Sequence, residues 1–90
     1  MRMTLEEFLD HVAALGDEHL LMDGYNDCIL GLAERFNSTY VLYDVGRVFK
    51  RLQAQGMTYE EAHEFWAFNQ VGAWVGEGTP AFLTIQVHNK

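Results

Sequence analysis

The sequence predicts an α+β domain: a small three-stranded, mainly antiparallel sheet with three helices, in the order α-β-β-α-α-β. Three observations carry this expectation. Two Thr-x-x-Glu capping boxes, Thr4 with Glu7 and Thr58 with Glu61, each open a run of apolar residues at helical spacing. Two runs rich in strand formers, 28–33 and 39–43, stand on either side of a short turn, which suits a hairpin. Residues 81–87 then alternate Leu83, Ile85 and Val87 with Thr84 and Gln86, the period of a half-buried strand.

The first helix follows Thr4 and carries Leu5, Phe8, Leu9, Val12 and Leu15 on one stripe, with Gly16 as its stop. Glu6 and Glu7 sit favourably at the positive end of its dipole, and with Asp10 and His11 they form a solvent face. Residues 17–27 read as a loop, with Asp23, Gly24, Asn26 and Asp27 supplying turn chemistry around Tyr25, while Leu20, Leu21 and Met22 need burial. Arg35, Phe36, Asn37 and Ser38 form the hairpin turn. Asp44 caps a second helix whose Val45, Val48, Phe49 and Leu52 line one face, and Gly56 stands at its left-handed C-terminal position. Thr58 starts the third helix at once, with Tyr59, Ala62, Phe65 and Trp66 at helical spacing, so these two helices should form an αα-hairpin. Gly72, Gly76 and Gly78 make residues 71–80 a loop around Trp74.

Ninety residues make one domain, 1–90, and 49% hydrophobic content with 13% aromatic residues is enough for a packed core. No apolar run approaches the roughly 20 residues that span a bilayer, and acids interrupt the N-terminal segment where a signal peptide is apolar. A single cysteine, Cys28, cannot form an internal disulfide, which fits a reducing compartment; the expected location is the cytoplasm. The formal charge of −7 opposes direct binding to nucleic acid or to an anionic membrane and favours a basic partner.

Chemistry has little to stand on. His11, His19, His63, His88 and Cys28 fall into no spacing that structural zinc sites use, and His63-Glu64 begins an H-E-x-x-H pattern that Phe65, Trp66 and Ala67 end. Asp23, Asn26 and Asp27 lack the spacing and terminal Glu of a calcium loop and are better read as turn formers. The glycines after residue 71 lack the Lys-Ser/Thr pair of a phosphate loop. Cys28 opens an apolar strand in an acidic chain, the wrong setting for a nucleophile. Arg47, Lys50 and Arg51, the basic cluster, form an ion-pair surface on the second helix. No catalytic residue, metal ligand or cofactor is therefore assigned.

The motifs Met22-Asp23-Gly24, Asp27-Cys28, Tyr43-Asp44, Gly56-Met57-Thr58 with Glu60-Glu61-Ala62, Phe68-Asn69, and Gly72-Ala73-Trp74-Val75-Gly76-Glu77 with Thr79-Pro80 resemble a family of short uncharacterised proteins of tailed bacteriophages and prophages. The resemblance covers residues 21–82, and the segment from Phe68 to Pro80 is its most specific part. That family has no established activity, so the resemblance implies context only: a phage accessory protein that binds a host or anti-phage defence protein in the bacterial cytoplasm.

The expected function is accordingly non-catalytic protein–protein binding, with Asp23, Tyr25 and Asp27 in the turn and Trp74 and Glu77 in the glycine loop as the contact residues. Trp74 has two readings, a plug in the core beside Phe68 or an interface anchor. The alternatives are a small-molecule or metal site built from Asp23, Asp27, Glu34, Asn69 and Glu77, and a structural homo-oligomer.

Overall fold

In the computed structural model, the described residues are 2–16, 21–36, 38–71 and 79–88. They form α1 (Leu5–Ala14), β1 (Ile29–Arg35), β2 (Ser38–Asp44), α2 (Val45–Ala54), α3 (Tyr59–Trp66) and β3 (Ala81–Leu83), with a 3₁₀ turn at Asn26–Cys28 before β1 and a π-turn at Ala67–Val71 after α3. The fold is α+β in the expected order. No helix among the described residues is long and apolar enough to cross a membrane.

Both capping boxes form: the Thr4 hydroxyl accepts from the Glu7 N–H and the Glu7 carboxylate from the Thr4 N–H, and Thr58 and Glu61 repeat the arrangement. Asp44 caps α2 by accepting from the Gly46 N–H at 3.1 Å. The end of α2 is a Schellman motif, in which Gly56 at φ +107° lets its own N–H reach the Gln53 carbonyl and the Met57 N–H reach that of Leu52. Met57 consequently folds back on the core as Thr58 begins α3.

The strand order is β1-β2-β3 with β2 central. β1 and β2 are antiparallel from Arg35↔Ser38 to Ile29↔Tyr43, with Leu30 an extra residue bulged between Ile29 and Gly31. Phe36 lies in the two-residue loop at φ +53°, the left-handed conformation that tight hairpins require. β3 runs parallel to β2, so the sheet is mixed rather than purely antiparallel, with the longer β1–β2 pairing antiparallel. A parallel neighbour needs a long crossover, and α2 with α3 provides it.

That parallel register also shortens β3. It pairs Ala81, Phe82 and Leu83 with Leu42, Tyr43 and Asp44, and beyond Asp44 the chain has become helix, so no strand is left for residues after Leu83 to join. The expected half-buried strand to Val87 is corrected accordingly: Ile85 and Val87 are about four-fifths exposed, at 79% and 80%. β1 likewise starts at Ile29, because Cys28 closes the preceding 3₁₀ turn.

The core lies on one face of the sheet, where Val41 and Tyr43 meet Val45, Val48, Phe49 and Leu52 of α2, Ala62 of α3, Val12 of α1 and Cys28. Phe49 is the hub of the αα-hairpin, its ring edge-on to Tyr59, His63 and Trp66 at centroid distances of 5.4, 5.8 and 5.7 Å. Burying four apolar side chains of α2 at roughly 1.5–3 kcal/mol each is the largest local contribution to folding. By contrast, α1 buries only Val12; Leu5 and Leu15 stay more than two-fifths exposed.

This contrast separates the two caps. Thr58→Ala should cost about 1 kcal/mol and lower the thermal midpoint by roughly 4–8 °C, because α3 is tied to the core through Ala62. Thr4→Ala should fray α1 locally and move the global midpoint less, which circular dichroism melts of the two variants would compare.

Candidate functional site

The turn that precedes β1 is anchored from below. Tyr43 is fully buried, yet its hydroxyl oxygen accepts a 2.7 Å hydrogen bond from the Met22 N–H, so a core side chain holds the start of the turn. Above that anchor the backbone closes on itself: the Tyr25 N–H donates to the Met22 carbonyl at 3.1 Å and the Cys28 N–H to the Tyr25 carbonyl at 2.9 Å. Gly24, at φ +87°, makes the first of these turns possible.

The far side of the turn is stapled to α2. Arg51 Nη1 donates to Asp27 Oδ2 at 2.9 Å, and its guanidinium lies 5.8 Å from the centre of the Tyr25 ring. Arg47 donates to the Ile29 carbonyl at 3.4 Å and pairs with Asp44 at 3.5 Å. The basic residues of α2 are thus an ion-pair surface, as the sequence suggests, and two of them neutralise acids of this chain. The exposed Arg51–Asp27 pair is worth no more than about 1 kcal/mol, so its effect is to orient the side chains. Asp23 is exposed and makes no ion pair among the described residues.

Of the five residues expected to make partner contact, Asp23, Tyr25 and Asp27 therefore share one braced turn, with Tyr25 half-buried under Arg51. Trp74 and Glu77 lie outside the described residues. Phe68, the residue expected beside a Trp74 plug, is itself 78% exposed. The carboxylate alternative draws on residues that the fold spreads apart: Asp27 precedes β1 and Glu34 nearly ends it, about 20 Å away along an extended strand. Asn69 lines a shallow surface with Gln55, Met57, Glu61 and Glu64 at the α2–α3 end. No three His, Cys, Asp or Glu side chains among the described residues gather closely enough to hold a metal ion.

Two features escaped the sequence reading. Trp66 Nε1, at the end of α3, and Gln70 Oε1, within the π-turn, are buried without a hydrogen-bond partner among the described residues. A groove of about 630 Å³ also separates the N-terminal half of α1 from β1, lined by Arg2, Met3, Leu5, Phe8, His11 and residues 29–32 among others. Its sequence signal is the α1 stripe, which carries more apolar residues than the small sheet can cover.

No family model matches the chain, and neither the curated proteins nor the solved structures contain a match to it.

Cys28 is 1% exposed, and burial, reinforced by the neighbouring Asp27 carboxylate, pushes its thiol up from 9.0 to about 11. The folded state thus holds its proton more tightly than the unfolded state. This contribution to stability is complete below about pH 9 and is lost as pH rises from 9 to 11. Alkylation by iodoacetamide at pH 8 should be at least roughly a hundredfold slower in the native protein than in denaturant, since the thiolate fraction alone falls by that factor. Equal rates would show that Cys28 is not buried in solution.

Proposed function

We propose that this chain is a phage-type accessory protein that acts by non-catalytic protein–protein binding in the bacterial cytoplasm, where it inhibits a host or anti-phage defence protein. The observation that supports this reading is the braced acidic turn. Carboxylates on a turn held by a core hydroxyl, two backbone hydrogen bonds and an arginine lose little freedom on contact, and preorganisation of that kind favours binding. With 13 acidic residues against 6 basic ones, the chain suits a basic partner surface, including one built for nucleic acid. The phage context rests on the motif resemblance of residues 21–82.

The contact residues in this reading are Asp23, Tyr25 and Asp27, joined by Trp74 and Glu77, and they differ in what they contribute. Asp23, which makes no ion pair among the described residues, can steer an approaching cation, whereas Asp27 is paired with Arg51 within the chain. Trp74 is the residue type that most often dominates interface energy.

Affinity capture from host lysate, followed by kinetics on the purified partner, tests the proposal. Asp23→Asn should slow association severalfold at low salt and flatten its salt dependence, with Asp27→Asn acting more weakly. Trp74→Ala should raise the dissociation constant about thirtyfold, the equivalent of 2 kcal/mol. A captured partner that binds all three folded variants as it binds the wild type would overturn the assignment of this surface.

A further inference from the structure

Residues 81–87 alternate as a half-buried strand does, and the fold itself pairs only the first three of them. Phe82 stands in register with Tyr43 and packs on the core, so Ala81 and Leu83 belong to the opposite face of the sheet. Continued alternation gives Ile85 and Val87 to that face as well. Both are bare, at 79% and 80% exposure, and residues 85–87 make no hydrogen bond among the described residues. Unpaired backbone groups beside an uncovered apolar alternation are what a further strand satisfies.

The edge is also undefended. β3 stands last in the order β1-β2-β3, and no strand among the described residues pairs with its outer side. Natural edge strands are guarded by charge or proline, and residues 81–87 contain neither. β2 is paired on both sides and passes into α2, so it has no edge to offer them.

The segment is complementary to itself. In either direction about Ile85, residues 83–87 run apolar, polar, apolar, polar, apolar. Antiparallel pairing of two copies about a two-fold axis at Ile85 sets Leu83 against Val87 and Ile85 against Ile85 on one face, with Thr84 against Gln86 on the other. The aliphatic side chains of both copies then share one row of cross-strand pairs, the contacts that stabilise a sheet. Charge favours the same occupant. A basic partner, which acids elsewhere on this −7 chain attract, finds no acid on residues 78–87, whereas a second copy meets an equally neutral segment.

We infer that residues 83–87 of two copies pair antiparallel about Ile85, extending β3 of each and joining two three-stranded sheets into one of six strands. The pairing is the same surface on both copies, so it closes at two chains. It uses none of the residues assigned to partner contact and stands or falls apart from the proposed function.

Light scattering coupled to size exclusion, across a dilution series, measures the mass. The wild type should approach twice the 10.3 kDa chain mass at high concentration and fall toward one chain on dilution. Ile85→Lys and Ile85→Asp each set like charges across the axis while moving the net charge in opposite directions, so both should give the monomer, with an unchanged circular dichroism spectrum because Ile85 lies outside the core. Phe36→Ser, at the hairpin tip, should leave the dimer intact. Cysteine variants fix the register. The two copies of residue 85 lie about 4.5–5.5 Å apart at Cα in such a pairing, within disulfide reach, and the two copies of residue 87 about 14 Å apart. In a glutathione redox buffer Ile85→Cys should therefore link into a covalent dimer, while Val87→Cys and the wild type, whose Cys28 is buried, should not. A wild type monomeric at every concentration, a mass that grows past two chains, a dimer that survives both charged variants, or equal linking of the two cysteine variants would each overturn the inference.

Discussion

β2 is the strand on which everything else leans. It is paired on both edges, its Val41 and Tyr43 are fully buried, and it passes without a loop into α2 through Asp44. The direct passage lays the apolar stripe of α2 back over the strand that precedes it. The Schellman turn at Gly56 then returns α3 beside α2, and the parallel β3 closes the crossover. Removing apolar contact at this junction would therefore release both helices and both neighbouring strands, whereas the loss of α1 would expose chiefly Val12 and Phe8.

Tyr43 extends this core to the surface. Its ring packs beside Phe82 at 6.0 Å, and its hydroxyl reaches the backbone of Met22, so one residue joins β3, the core and the acidic turn. A buried phenol without a partner would cost free energy, and the Met22 N–H supplies that partner while the turn gains a fixed base. Burial raises the Tyr43 hydroxyl above its ordinary value, so it remains a neutral phenol at physiological pH. Arg51 completes the brace from α2. The surface proposed for partner contact is thus a by-product of core packing, and the α1–β1 groove lies where packing is least complete.

Local signals made most of the fold legible. Thr4 with Glu7, Asp44, Gly56 and Thr58 with Glu61 are chemical punctuation that acts within a few residues, and each forms as read. The direction of β3 was not legible, because strand pairing depends on how a crossover returns the chain and not on alternation along it. The same cause explains Ile85 and Val87: their alternation is real, but β2 ends before they could join it. At the candidate site, the turn chemistry of Asp23, Gly24, Asn26 and Asp27 was visible, while its bonds to Tyr43 and Arg51 span 21 and 24 residues and leave no local trace. The spread of Asp27, Glu34 and Asn69 over separate parts of the fold belongs to the same class of tertiary fact.

The acidic turn owes its shape to the buried hydroxyl of Tyr43. Tyr43→Phe removes that oxygen while keeping the ring, and amide hydrogen exchange across residues 21–28 measures the consequence. The Met22, Tyr25 and Cys28 amides should exchange at least tenfold faster in the variant, as expected for loss of a bond worth about 1.4 kcal/mol, while the amides of α2 and β2 keep most of their protection. Unchanged exchange in the turn, with the core equally protected, would show that Tyr43 does not hold it.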